Sequence, residues 1–192
     1  MSTLKVDTIL KRTGTGTITV GQSGDTITIP SGATLNSAGT NTLEGIANTP
    51  YFHVNRTGSA QSLSDATFTN CIYNNEVYDS GSCYDTANGR FTPNVAGYYF
   101  IYANPVVYNA AIYSNFIARF LLNGSTSIAR TSSNNGGNDD LIGNQYISAI
   151  QYFNGSSDYV NVNIYLDVPS GSPEILNDDG KNYFGGYRMI GA

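Results

Sequence analysis

One histidine and two cysteines are all that this 192-residue chain offers for nucleophilic or soft-metal chemistry. His53 lies in the run Tyr51-Phe52-His53-Val54, which reads as a strand. As a general base it would need a nucleophile and an orienting acid, and the chain has no Gly-x-Ser-x-Gly elbow. The favoured reading is a satisfied strand residue. Cys71 and Cys83 have eleven residues between them. Two readings stay open: a disulfide across a hairpin, worth about 2–3 kcal/mol, or two free thiols in a reducing compartment. A structural zinc centre is not expected from two Cys and one His. Asp139-Asp140 and Asp178-Asp179 fall in Gly/Asn-rich stretches and are the weak calcium candidates. Neither has EF-hand spacing, so solvated turns are the favoured reading and no metal is assigned. Asn55-Arg56-Thr57, Asn123-Gly124-Ser125 and Asn154-Gly155-Ser156 fit the glycosylation sequon and read more simply as turns. The expectation is a protein without catalytic residues or cofactor.

The elements that hold these residues divide sharply. The chain has fifteen Tyr, eight Phe and no Trp. Every aromatic lies between Tyr51 and Tyr187. Fifty residues without a ring and with few large aliphatics cannot bury a core of their own. The expected organisation is therefore an N-terminal stem over 1–45, a hinge at 46–50 and a head over 51–192. Charge follows the same split. Lys5, Lys11 and Arg12 balance Asp7, Asp25 and Glu44, so the net charge of −5 belongs to the head. That sign excludes the basic footprint of nucleic-acid binding. No apolar run is long enough for a membrane span. Residues 1–10 show no hydrophobic core followed by a small-residue cleavage site, so no signal peptide is expected.

In the stem, Thr17-Ile18-Thr19-Val20 and Thr26-Ile27-Thr28-Ile29 alternate with a period of two and are punctuated by Gly or Pro. A flexible linker has no need of regularly placed Ile and Val. The pattern suits a short β-rich segment in which three chains share one narrow core through Ile18, Val20, Ile27 and Ile29. It is too short for a stable solenoid made by one chain.

The head reads as all-β. From Tyr159 to Val168 apolar and polar residues alternate without a break, so Val160, Val162, Ile164, Leu166 and Val168 form a core face. The opposite face carries Tyr159 and Tyr165 among Asn and Asp, and exposed tyrosines in rows point to an interface. Further strands are expected at 51–54, 67–78, 97–108, 113–122, 141–152 and 182–190. Asn88-Gly89, Asn123-Gly124, Asn154-Gly155 and Asp179-Gly180 mark the turns between them. Thr131 to Asp140 reads as a long surface loop. This spacing implies a sandwich or jelly roll.

Several head segments carry a family signature. Phe68 is followed after five residues by Asn74-Asn75-Glu76, and Tyr84-Asp85-Thr86-Ala87-Asn88-Gly89-Arg90-Phe91 is followed after five by Gly97-Tyr98-Tyr99. Arg119-Phe120-Leu121-Leu122-Asn123-Gly124, Gln151-Tyr152-Phe153-Asn154-Gly155 and Phe184-Gly185-Gly186-Tyr187 complete the set. Together they resemble the globular domain of complement C1q, in the tumour-necrosis-factor-like jelly-roll superfamily, over residues 50–192. The stretch from Asn75 to Tyr84 is longer than that pattern and reads as an enlarged loop. The resemblance implies a C1q/TNF-like jelly-roll sandwich that assembles as a homotrimer.

Thr3-Leu4-Lys5-Val6-Asp7-Thr8-Ile9 and the run from Ser23 to Leu35 resemble the opening of structural proteins of marine bacteriophages, cyanophages in particular. This implies a virion protein assembled in the host cytoplasm, its stem docked on another virion protein. The expected function is a trimeric tail-fibre or spike-type appendage whose head adheres to a host-surface glycan or protein. The alternative is a capsid decoration protein whose stem docks on the shell.

Overall fold

The computed structural model describes residues 19–33, 48–108, 113–134, 142–178 and 180–190. The chain divides into two units, Met1–Leu43 and Glu44–Ala192.

In the first unit, residues 19–33 form two turns eight residues apart in sequence. Asp25 N–H donates to Gln22 O and Ala33 N–H to Pro30 O, each at 3.0 Å. Each turn is x-Ser-Gly-x, and Gly24 (φ 93°) and Gly32 (φ 84°) occupy its third position with the positive φ that a type II turn requires. The intervening Thr26-Ile27-Thr28-Ile29 has no partner strand, and Val20, Ile27 and Ile29 are exposed. The β-rich reading is thus not realised within one chain over 19–33, because a rung needs a neighbour to receive its ladder hydrogen bonds. Ile18 lies outside the described residues.

The second unit is built of strands. In chain order they are β1 (Tyr51–Asn55), β2 (Gln61–Ser62), β3 (Thr69–Asn70), β4 (Asn75–Asp79), β5 (Tyr84–Asp85), β6 (Arg90–Phe91), β7 (Gly97–Asn104), β8 (Val106–Tyr108), β9 (Asn115–Leu122), β10 (Thr126–Ser133), β11 (Ile142–Asn144), β12 (Ile147–Phe153), β13 (Val160–Asp167), β14 (Glu174–Ile175) and β15 (Tyr183–Arg188). All pairings are antiparallel among the described residues.

One five-stranded sheet runs β12-β7-β15-β1-β4. A six-stranded sheet runs β10-β9-β13-β6-β5, with β3 also paired to β13. A smaller sheet, β11-β8-β14-β2, takes up the chain after Pro105 interrupts β7 and β8. Between the two large sheets lies the core. Phe52, Val54, Tyr99, Ile101 and Phe184 enter from the first, and Phe91, Phe116, Phe120, Val162 and Ile164 from the second, all fully buried. Phe52 stacks on Phe91 at 4.1 Å between centroids, and Phe120 meets Phe184 at 5.7 Å, so the rings bridge the layers.

The apolar face of β13 is core, as its alternation predicts. Its polar face is not a free surface. Asn161 donates to Gly89 O at 2.9 Å and Asn88 O at 3.2 Å. Asn163 Nδ2 donates to Asn70 Oδ1, while Arg119 Nε donates to Asn163 Oδ1. Both asparagines are buried. A central strand is flanked on both sides, and short elements (β3, β6 and the 85–89 turn) close over it. The expected strand 67–78 is split into β3 and β4, and the expected enlarged loop between Asn75 and Tyr84 is confined to 80–83, since 75–79 is β4, paired to β1. Strand β10 occupies Thr126–Ser133, part of which reads as loop in sequence. Ser and Thr there pair with β9 through backbone, which residue type does not reveal.

Candidate functional site

The outward face of the five-stranded sheet is the most unusual surface of the head. Alternation sends Phe52, Val54, Tyr99, Ile101 and Phe184 inward. The same period sends Tyr51 and His53 (β1), Tyr98, Phe100 and Tyr102 (β7), Ile150 and Tyr152 (β12), and Tyr183 and Tyr187 (β15) outward. Tyr78 joins them from β4, across from His53. Tyr51, Tyr78, Tyr98, Ile150, Tyr152 and Tyr187 are each between 41 and 59 % exposed.

The rings contact one another across strands. Tyr98 and Tyr152 meet edge to face at 5.4 Å, Tyr51 and Tyr78 at 5.7 Å, and Phe100 and Tyr187 lie 5.7 Å apart. None of the outward positions on β1, β7, β12 and β15 is charged. A hollow of about 310 Å³ lies on this face among Tyr51, Tyr78, Tyr102 and Tyr187. Water solvates an uncharged aromatic surface of this extent poorly.

His53 sits inside this face. Its ring stacks near Tyr78 at 5.7 Å and lies 5.7 Å from Tyr183 and 6.1 Å from Tyr102. Nδ1 is 3.1 Å from Tyr102 Oη. Burial holds its pKa below the ordinary value of 6.5. Its neighbours are phenols, so it is placed as a packed strand residue rather than as a base beside a nucleophile.

The residues singled out in sequence fall elsewhere. Tyr159 flanks the start of β13 and Tyr165 lies within it, on the six-stranded sheet, and each is partly covered by its own chain. The Arg90 guanidinium lies 4.3 Å from the Tyr159 ring centre, and Phe68 lies 5.1 Å from Tyr165. On β13 the second face is thus partly covered within the chain, and Tyr159 and Tyr165 each keep some exposure. The exposed rows on β7, β12 and β15 were legible in Gly97-Tyr98-Tyr99-Phe100-Ile101-Tyr102. There both faces are aromatic, and alternation alone does not say which one is inside.

Cys71 and Cys83 are both free and buried in this structure. Burial pushes the Cys71 thiol up to about 12. Asp178 accepts from the Gly180 and Lys181 amides and pairs with Lys181 Nζ at 3.1 Å, so its carboxylate is committed to its own turn. Asp139, Asp140 and Asp179 lie outside the described residues. Among the described residues no three of His, Cys, Asp and Glu converge as metal ligands. Of the sequon asparagines, Asn123 (φ 50°) sits in a tight turn with Gly124 (φ 72°). Asn154 Oδ1 accepts from the Ser156, Ser157 and Asp158 amides of its own turn.

No protein-family model matches the sequence, and no curated protein matches it. Solved structures do match the fold. The Eiger TNF structure from S. frugiperda superposes with a TM-score of 0.55 at 12 % identity, over 74 % of this chain and 95 % of that one. Murine APRIL gives 0.53 at 12 % identity over 73 % and 98 %. The globular domain of zebrafish complement 1qA gives 0.50 at 13 % identity over 75 % and 98 %. At such identities the likeness speaks for architecture alone, and the described head is an all-β jelly roll of the C1q/TNF type.

Proposed function

We propose that this chain is a non-catalytic virion appendage protein whose head, assembled as a homotrimer through the outward face of its five-stranded sheet, adheres to a host surface. The observation that carries the assembly is the uncharged aromatic face, centred on β7 and β15. Covering each well-packed ring there contributes about 1.5–3 kcal/mol, so a handful suffices to hold subunits together. The exposed Val20, Ile27 and Ile29 support a stem that gains its core from the same three chains. The likeness of the N-terminal run to phage structural proteins supports the virion placement.

The test has two parts. Sedimentation equilibrium of the full chain reads the assembly, with three times the 20.5 kDa subunit mass expected. Antibody labelling of virions, with blocking of infection by purified protein, reads the role. Label on the tail together with blocking supports adhesion. Label spread over the shell without blocking overturns it in favour of capsid decoration.

A further inference from the structure

A second depression, of about 350 Å³, lies between the 82–85 segment, the 92–94 segment and the 155–156 turn. Its volume is at the lower end for small-molecule sites. Three fixed loops build it. Thr92 N–H donates to Cys83 O at 2.7 Å, Asn94 Nδ2 donates to Gly81 O at 3.1 Å, and Asp79 Oδ2 accepts from the Tyr84 amide at 2.8 Å. Gly155 (φ 74°) lies so close to the 95–96 backbone that an added Cβ would come within 2.3 Å of Ala96 N, which locks the third wall. The walls are therefore set before any ligand arrives.

The lining chemistry is selective. Ser82, Thr92 and Ser156 contribute hydroxyls and Asn94 an amide oxygen, with no Lys, Arg or His among the lining residues. The Ser82 and Thr92 hydroxyls are spent on no partner within the described chain. Asp85 is the one charged group. Its carboxylate is held by the Ala87 and Asn88 amides and the Asn88 side chain, which keep it ionised. Hydroxyl and amide side chains lining a cleft that holds a carboxylate and no cation suit a neutral polyol and repel a phosphate or an acidic sugar.

We propose that this cleft is a subsite for one neutral hexose residue of a host-surface glycan. The proposal rests on the adhesion reading and names its ligand class. The Thr92 hydroxyl and Asn94 Oδ1 hydrogen-bond sugar hydroxyls, and Asp85 excludes sialylated ends.

The experiment is saturation-transfer NMR on the full chain with methyl glucoside, mannoside and galactoside, and sialic acid as the charged probe. The expected result is transfer to at least one hexoside and none to sialic acid. Thr92→Val weakens that binding by about three- to tenfold, as loss of one hydrogen bond requires. Thr92→Tyr, which fills the cleft, abolishes it. Melting and mass measurements confirm that each variant is folded, and Asn94→Ala, which removes the other sugar-bonding group, replaces Thr92→Tyr if the latter fails that check. Absence of transfer to any hexoside, or transfer unchanged by the folded variants, overturns the subsite. Wild-type protein that binds host cells equally well with Thr92→Tyr overturns the subsite and leaves adhesion standing. Hexoside binding without cell binding overturns adhesion and leaves the subsite.

Discussion

His53 Nδ1 and Tyr102 Oη lie 3.1 Å apart although their strands, β1 and β7, are separated by β15. The residue between them in the register is Gly185, paired to His53 on one side and to Tyr102 on the other. With no side chain there, the Tyr102 ring lies across β15. A Cβ at Gly185 would come within 2.5 Å of its hydroxyl. One glycine thus lets two side chains meet over the strand that divides them.

The first prediction concerns pH. His53 titrates below 6.5 in the fold because burial disfavours the imidazolium, so the unfolded chain takes up the proton first on acidification. Stability is complete above pH 6.5, falls as pH drops through 6.5, and levels off below the folded value. The groups facing the ring are Tyr78, Tyr102 and Tyr183, and none offers a counter-charge. Between about pH 7.5 and about pH 5, His53→Gln is expected to lose less in melting temperature than the wild type. Equal losses would count against this.

Assembly gives the second. Ile150→Glu and Tyr187→Glu each place a carboxylate on the uncharged face, and desolvating it on association costs several kcal/mol. Both variants are expected to sediment as the 20.5 kDa subunit with an unchanged far-ultraviolet spectrum. Tyr165→Glu, on the other sheet, is expected to leave the mass as in the wild type.

Neighbouring glycines give the third. A Cβ at Gly186 meets Phe100 O at 2.8 Å and Ile101 Cγ2 at 2.9 Å, whereas at Gly185 its nearest obstacle is the hydroxyl end of the Tyr102 side chain. Gly186→Ala is expected to cost about 1–3 kcal/mol in urea unfolding. Gly185→Ala is expected to cost less and to shift the His53 titration, read by NMR, as Tyr102 swings away.

Buried polar groups give the fourth. Asn161→Leu removes the donor serving the Asn88 and Gly89 carbonyls and is expected to destabilise by about 1–3 kcal/mol. An exposed Asn would cost nothing measurable, so urea midpoints separate the two descriptions.

The thiols give the fifth. With Cys71 and Cys83 free and buried, reductant is expected to leave the melting temperature unchanged. A thiol reagent is expected to label Cys71 only as fast as the protein unfolds, because burial raises its pKa to about 12 and removes the reactive thiolate.

Much of the head was legible in the chain because alternation is a local property. The run from Tyr159 to Val168 announces a strand, and Val162 and Ile164 are core as it implies. Asn123-Gly124 and Asn154-Gly155 announce turns, because positive φ is a demand made on single residues. β10 was harder, since Ile128 and Ala129 are the only apolar residues of Thr126–Ser133 and show no alternation, and its strand state rests on pairing with β9. The expected strand 67–78 is instead split into β3 and β4, because Thr69–Asn70 pairs with β13 while Asn75–Asp79 pairs with β1.

The amino-acid sequence by itself determined that the rings fall after residue 50, that the head is all-β, and which residues alternate. Those are matters of composition and period, which need no neighbour. Tertiary structure alone decided which aromatic face is covered. On β13 the Arg90 and Phe68 side chains lie against Tyr159 and Tyr165 on the second face, while on β7, β12 and β15 Tyr98, Tyr152 and Tyr187 stay exposed. Alternation assigns residues to two faces, but only packing between sheets decides which face meets core, chain or solvent. For that reason the exposed aromatic rows are those of the sheet that carries Tyr98, Tyr152 and Tyr187, while Tyr159 and Tyr165 are partly covered.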